Sequence, residues 1–474
     1  MRNKLDTFTD FANSLYPHES DFLLSQQQFS KSDNLTILNL VNYNTKNPLN
    51  LIPYNQQINK RTYSYLKTWI VEVLNKHDVD LFYDWLISIE RNVMNDSIVP
   101  EEEKYLLDQT NHLGPTFYYF IRFYQVLQHY RDYLMVRNRI RYYSQISAYL
   151  EKYKEPFEKS ILLNNDLNSA AERVVSKLAS TDEEFNRFEE LFKTIYFDTN
   201  LDGYTRYRAA VRLTIFYYTN REFDKLRSIY DNLDIALKTN IFYSKRVLAN
   251  YYANRAMMHS KLNELDLAEK FGYLSIRQKN NDYLFYLVNH SAVLLKCGKH
   301  QDALGLMTSS IPELKNTSSY YCKIGFVSFY IRTLLANNQL EKSVSYATTF
   351  FEGYKKEIFE YRWHLFFSAY LLALLRNEKY SRIISLSRRY KLVNKEKEHA
   401  GKAIYLPVIL WYTTISEYME GEISLEKFKD IIISSARTLI NHRYKSLKIN
   451  ELLSDLAFNA PDIIKSIKEE LNIN

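Results

Sequence analysis

Glycine and proline are scarce in this chain of 474 residues, at 9 copies each. Sheets and glycine-rich phosphate loops need more turn residues than that, whereas long helices joined by short polar turns do not. No GxxxxGK[ST], GxGxxG or GxSxG occurs, so the usual marks of phosphate loops and nucleophile elbows are missing. Cysteine occurs twice, at Cys297 and Cys322, which argues against a disulfide framework and suits a reducing compartment. The N-terminal MRNKLDTFTDFANSLYPHESDF has no apolar core of the kind a secretory signal carries. The longest nearly apolar run, AIYLPVILWY at 403–412, is short of the roughly 20 residues that a helix needs to span a bilayer. These absences predict a cytoplasmic protein without membrane insertion. Ten histidines are scattered, with no CxxC or HExxH, so no metal site or cofactor is predicted and the chain does not read as an enzyme. An enzyme whose site is assembled from distant residues stays open as an alternative.

What is present points to helices. Apolar residues make up 46% of the chain, enough for a large core, and net charge is a mild +7. Tyrosine is abundant, at 41 copies. Its ring fills space while its hydroxyl reaches a polar partner, although a codon bias would produce the same excess. Residues 1–60 read as short helices, FLLSQQQF and LTILNLVNYN, followed by a loop, NTKNPLNLIPYNQQINK. Residues 61–200 are helical. YSYLKTWIVEVLNKH and DLFYDWLISIERNVM space apolar residues at three and four, and SIVPEEEKYLL starts a helix at Pro100 with Glu101, Glu102 and Glu103 in its first turn. The stretch 117–153 is one long helix or two. Ser180 or Thr181 is the expected N-cap of the next helix, and DTNLDGY at 198–204 is the clearest internal boundary.

Over 201–400 a pattern recurs. YYTNREFDKL, HSKLNELDLA, LLKCGKHQDA, LLANNQLEKS and LLRNEKYSRI each end one apolar helix, turn, and begin another. Asn220, Asn263, Gly298, Asn338 and Asn377 are the residues expected to take the left-handed conformation at the turns. Phe223, Leu265, His300, Leu340 and Tyr380 follow, and then Leu226, Ala268, Ala303, Ser343 and Ile383, spaced 42, 35, 40 and 40 residues apart. A period of this length with two helices per unit signals a solenoid, because one hairpin alone cannot bury both apolar faces. Residues 401–474, with KFKDIIISSARTLI and APDIIKSIKEEL, read as closing helices.

These segments resemble tetratricopeptide repeats, CGKHQDAL best with Gly298, His300 and Ala303, and NELDLAEKFGYLSI with Ala268 and Ser275. Ser343 and Ile383 depart from the small alanine of that motif, and the spacing exceeds 34 residues. The resemblance implies an all-α, right-handed superhelical solenoid of antiparallel hairpins, with a concave groove lined by the first helix of each. Carried over by position, the groove residues are Arg208, Val211, Ile215 and Tyr218, then Asn250, Ala253, Asn254 and Met257, then Phe285, Val288 and Asn289, then Ser328 and Arg332. Val211 and Ile215 stand where a carboxylate clamp would need Lys and Asn, so that clamp is not expected. The function implied is a scaffold or adaptor that binds another protein or an extended peptide. His300 would then be the aromatic-like packing residue of a helix joint, beside Cys297 and Asp302.

Two basic stretches offer other readings. DYLMVRNRIRYYSQISAYLEKY at 132–153 mixes Arg137, Arg139 and Arg141 with Tyr142 and Tyr143, as in proteins that hold single-stranded nucleic acid. On one helix Arg137 and Arg141 share a face, while Arg139 points away. A single basic stripe therefore does not form, and a solvated face or an interhelix contact is the leading reading, with a nucleic-acid-associated regulator using Arg137, Arg141 and Tyr142 as the alternative. SRRYKLVNKEKEHAGK at 387–402 reads as a solvated loop between repeats.

Overall fold

The computed structural model describes residues 5–48, 50–175, 182–238, 242–398, 405–440 and 443–473. Among them every regular element is a helix, and none is long and apolar enough to cross a membrane. The chain divides into two compact units, residues 1–280 and 281–474.

The first unit contains α1 (Asp6–Asn13), α2 (Pro17–Gln26), α3 (Ser32–Lys46), α4 (Lys60–His77), α5 (Val79–Met94), α6 (Pro100–His112), α7 (Phe120–Val136), α8 (Ile140–Lys152), α9 (Lys154–Val175), α10 (Asp182–Phe197), α11 (Gly203–Asn220), α12 (Phe223–Lys238), α13 (Lys245–Lys261) and α14 (Leu265–Ser275). The second contains α15 (Tyr283–Lys296), α16 (His300–Ser309), α17 (Ile311–Asn316), α18 (Tyr320–Ala336), α19 (Leu340–Gly353), α20 (Lys355–Glu357), a π-helical turn (Ile358–Arg362), α21 (Trp363–Arg376), α22 (Tyr380–Tyr390), α23 (Leu392–Lys397), α24 (Val408–Met419), α25 (Leu425–Ile440), α26 (Arg443–Ala457) and α27 (Pro461–Glu470).

One joint is used again and again. Asp96, Asn138, Arg221, Asn263, Gly298, Asn338, Glu378 and Gly421 all have positive φ, and each follows a helix. At every one the next amide reaches back five residues, as in Ser97 N to Asn92 O at 2.8 Å, Arg139 N to Leu134 O at 3.0 Å and Lys299 N to Leu294 O at 2.9 Å. This is the Schellman arrangement, which satisfies the last carbonyls of a helix before the chain turns. The hairpins therefore run back into residues 61–200, where the sequence pattern gives no register. Phe117–Tyr153 is broken by such a joint at Asn138 into α7 and α8. The expected caps Ser180 and Thr181 lie outside the described residues.

At two joints the left-handed residue is one position later than the sequence suggests. Arg221 and Glu378 take positive φ, not Asn220 and Asn377. The two asparagines bond backbone instead. Asn220 donates to Phe216 O at 2.8 Å, and Asn377 donates to Ala373 O at 2.8 Å and Leu340 O at 3.2 Å. His300 also departs from expectation. It opens α16, but its side chain is exposed rather than packed between helices. Its carbonyl makes the structural contact, accepting from Asn337 Nδ2 at 2.9 Å. Leu226, Ala268, Ala303, Ser343 and Ile383 are all buried.

In the second unit α15 packs on α18, α18 on α21, and α21 on α24, while each also packs on the second helix of its own hairpin. A helix covered on three sides is apolar all round. Hence Phe366 to Leu375 are buried without a break in α21, whereas α19 buries only Ser343, Val344, Ala347 and Phe351. The basic stretch at 387–402 is largely helical, forming the end of α22 and then α23; its residues 399–402 lie outside the described set. Within it Glu396 is buried and accepts from Ile409 N at 3.0 Å and Leu410 N at 2.8 Å, with His364 Nε2 at 2.7 Å. That carboxylate answers the positive end of α24.

Tyrosine has a structural use here. Tyr130 of α7 donates to Glu103 of α6 at 2.6 Å, Tyr217 of α11 to Glu189 of α10 at 2.8 Å, and Tyr251 of α13 to Asp234 of α12 at 2.7 Å. In each, a ring on the first helix of one hairpin fills core space while its hydroxyl meets a carboxylate on the hairpin before. Burial first, and the nearby carboxylate second, hold the Tyr130 and Tyr217 hydroxyls well above the usual phenol range, so they remain donors.

Candidate functional site

The first helices of the hairpins in the first unit converge at their N-terminal ends. Tyr204 N donates to Tyr118 O at 3.0 Å, joining the start of α11 to the residues before α7. Gly203 permits this approach, because a Cβ there would sit 2.9 Å from Tyr118 Cδ2 and 3.1 Å from its Cα. Val79 N donates to Tyr243 O at 3.0 Å, and Arg246 of α13 forks onto Asp80 of α5 through Nε at 3.0 Å and Nη2 at 2.8 Å. Such two-pronged guanidinium–carboxylate pairs fix geometry as well as charge.

These ends enclose a cleft of about 540 Å³, a size suited to a side chain or small ligand. Its walls come from α5, the α7 entry, α9, α11 and α13, which are the first helices of five successive hairpins. Tyr83, Tyr119 and Tyr204 form an aromatic side, with ring centroids 4.8 Å apart for Tyr83 and Tyr119 and 5.5 Å for Tyr119 and Tyr204. Three guanidiniums face the cleft, those of Arg122, Arg208 and Arg246. Arg122 pairs with Glu90, and Arg246 with Asp80. Among the described residues Arg208 has no such partner. It is held by amide oxygens, donating to Asn164 Oδ1 at 2.6 Å and to Asn168 Oδ1, and its guanidinium lies 5.6 Å from the Tyr204 ring. Asp202, also in the wall, caps α11 by accepting from Thr205 N at 2.9 Å, and burial pushes its carboxyl up. A neighbouring cleft of about 640 Å³ carries both signs of charge, from Lys76, Asp78 and Asp108, with His77 and His112.

The residues named from the sequence fall in several places. Arg208, Val211, Ile215 and Tyr218 share the half-exposed to exposed face of α11, and Arg208 lines the cleft. Asn250 and Asn254 continue the α13 face that begins at Arg246, with Asn254 Nδ2 donating to Asn250 Oδ1 at 2.9 Å. Asn289 and Arg332 are half-buried in the second unit. Ala253, Val288 and Ser328 are buried and belong to the core rather than to a groove surface; the Ser328 hydroxyl donates to Ile324 O at 2.8 Å. Arg137 and Arg141 do not share one helix face. Arg137 caps α7 in a turn and pairs with Asp96 at 2.6 Å, 4.0 Å above the Tyr133 ring, while Arg141 lies exposed on α8. Arg139 is bound to Glu103 and stacks 4.8 Å from Tyr142. The basic–aromatic character of that stretch is thus largely spent on the chain's own acids. Cys297 and His300 stand on either side of the Gly298 joint, closing α15 and opening α16.

No protein-family model matches this sequence, and no curated protein matches it. The cleft residues Tyr83, Tyr119, Arg122 and Asn164 lie in the region where the hairpin register was hidden, and so were not foreseen. Asp96 and Asn138, 42 residues apart and each just after an apolar helix, are the signal that would have extended it.

Proposed function

We propose that this protein is a non-catalytic adaptor that binds another protein or an extended peptide on the face made by the first helices of its hairpins. The hairpins would stack as a right-handed solenoid resembling tetratricopeptide repeats. One observation carries the reading. Five successive first helices contribute to a single cleft, lined by tyrosines that offer area at low entropic cost and by arginines that fork onto carboxylate or phosphate. Mixed aromatic and arginine surfaces of this kind are where binding energy concentrates in protein interfaces.

The test is affinity purification of the full-length protein from its native extract, with and without nuclease, beside the Arg208→Gln variant. Protein partners that survive nuclease and are lost with Arg208→Gln support the reading. Partners that vanish with nuclease, together with recovered nucleic acid, contradict it. Nucleic-acid retention that then falls on replacing Arg137 and Arg141 by Ala would transfer the function to that stretch.

A further inference from the structure

In the second unit, aromatic rings and cations form one connected set from the start of α18, across the π-helical turn, to α22 and α23. The Tyr320 ring lies 6.1 Å from Tyr361 and 6.2 Å from Tyr354, and Lys323 stands 5.7 Å and 5.4 Å from Tyr320 and Tyr354. Lys355 is 4.7 Å from the Tyr390 ring, and Tyr390 is 5.4 Å from Phe359. Arg389 and Lys395 join at the far end, 5.5 Å from Tyr390 and 6.0 Å from Phe359. At the near end Arg362 lies 4.1 Å from the Tyr321 ring. It is seated against α18, where it donates to Tyr321 O at 3.4 Å and where a Cβ on Gly325 would come within 2.5 Å of its Nη1. Tyr361 and Arg362 are both carried by the π turn, a rare distortion that concentrates at functional sites.

Two properties set this surface apart. Tyr321, Tyr361 and Tyr320 are 49%, 48% and 37% exposed, so their rings are open to stacking. Among the described residues none of Lys323, Lys355, Arg362, Arg389 and Lys395 has a carboxylate at ion-pair distance, whereas Arg388, next in the chain to Arg389, is held by Glu417 and Glu422. A ring orients a cation without neutralising it, so these charges remain open to an anion. The segments 320–323, 354–362 and 389–397 carry eight Lys or Arg against three Glu. One of those three, Glu396, is buried and already committed to α24 and His364. An acidic peptide would answer the charge but leave the exposed rings without a planar partner. A duplex would offer phosphates, but its bases are already stacked on one another. A single strand offers both a phosphate backbone and open base faces.

We infer that this face of residues 320–397 is a binding platform for single-stranded nucleic acid, on which Tyr320, Tyr321 and Tyr361 stack bases and the unpaired cations track the phosphates. The platform lies wholly in the second unit, and no part of the first-unit cleft is needed for it.

The experiment is fluorescence anisotropy of the purified full-length protein with a labelled single-stranded DNA of about 20 nucleotides, the duplex of the same sequence, and a labelled polyglutamate of similar charge. The single strand is expected to bind at least tenfold more tightly than either. Its affinity should fall with salt at about −0.7 per phosphate contact on a log–log plot. Tyr321→Ala with Tyr361→Ala should weaken binding at least tenfold, while Phe at both positions, which keeps the rings, should retain it. Lys355→Gln with Arg389→Gln should weaken binding at least threefold and flatten the salt slope by about 1. Circular dichroism checks that each variant is folded, and Arg61→Gln, at an exposed site on α4, should change nothing. No single-strand binding at low salt overturns the proposal. Equal binding of duplex and single strand, or alanine variants that bind like wild type, overturns the stacking role of the tyrosines. Polyglutamate binding as tightly as the single strand transfers the surface to an acidic protein partner. Binding that survives the tyrosine and Lys355/Arg389 variants but falls with Arg137→Ala and Arg141→Ala overturns the placement.

Discussion

In residues 281–474, Asn337 and Asn377 each reach back 37 residues to the first carbonyl of the preceding hairpin's second helix, at His300 and Leu340. In residues 1–280 the ties run much farther along the chain. His18 of α2 bonds Tyr252 Oη at 2.6 Å and Asp234 Oδ1 at 3.0 Å, and Glu19 accepts from Tyr243 Oη at 2.6 Å. Arg277 donates to Leu15 O and, at 3.0 Å, to Thr45 O, while Gln278 donates to Ser14 O at 2.7 Å. From α15 to α24 the second unit repeats neighbour-to-neighbour contacts, and its end reaches back past one hairpin, with Asn459 Nδ2 donating to Leu375 O at 3.2 Å. The first is held by a buried polar network in which its earliest helices lock onto its last hairpins. A repeat that only touches its neighbours can keep a strict period, and Gly298, Asn338 and Glu378 are 40 residues apart. Helices that close on distant partners are free to depart from it. The candidate cleft lies in the unit that departs.

The contrast can be broken at its strongest point first. Phe367 is fully buried in α21 against Phe351, Phe359 and Tyr390. Phe367→Ala should cost about 3–5 kcal/mol, read as faster amide hydrogen exchange across 320–390. In the first unit the equivalent weak point is polar. His18→Ala removes a partner from both Tyr252 and Asp234 and should cost about 1–3 kcal/mol, with the exchange gain falling in α2 and α12–α13.

A third prediction concerns pH. Burial pushes the His290 imidazole, in α15, down to about 3 from 6.5. As pH falls below 6.5 the unfolded chain takes up a proton there and the native one does not. The second unit should therefore lose stability on acidification, by at most about 1.4 kcal/mol per pH unit. Asp234 in the first unit has its carboxyl held below the usual range; burial opposes this, but hydrogen bonds from His18, Lys238 and Tyr251 prevail. Its contribution is present above the unfolded value of 3.8 and is lost only as pH falls below it. Between pH 6.5 and pH 4 the urea midpoint should thus drop in a way that His290→Leu flattens and Asp234→Asn does not. The smallest effect is at Glu378, whose positive φ is strained for a side chain. Glu378→Gly should raise stability by about 0.5–1 kcal/mol, and an unchanged melting temperature would show that the joint is not strained.

The all-helical class, the hairpin joints from 217 onward and the buried positions Ala268, Ala303 and Ser343 were legible, because each follows from a local rule of spacing or turn chemistry. Helix α6 was legible from Pro100 and its three glutamates for the same reason. Arg208 was reached by position alone. The rest was hidden where meaning depends on distant partners. Asn377 reads as a turn residue until Leu340 O is placed beside it, and His300 reads as a packing residue until its side chain is seen in solvent. Arg137 reads as a free cation until Asp96 is brought across from another hairpin. The tyrosines read as rings whose hydroxyls need polar partners, but which partners stayed hidden, because the carboxylates lie 17 to 28 residues away on another helix.

The central claim is that the first-helix cleft of residues 1–280 is where a partner binds. The most direct measurement is photocrosslinking in the native extract, with p-benzoylphenylalanine replacing exposed Tyr204 in the cleft or exposed Tyr65 on α4. The account predicts one defined protein adduct from the Tyr204 position, lost when Arg208→Gln is added, and none from the Tyr65 position. Equal labelling from both positions, or adducts indifferent to Arg208→Gln, would contradict it.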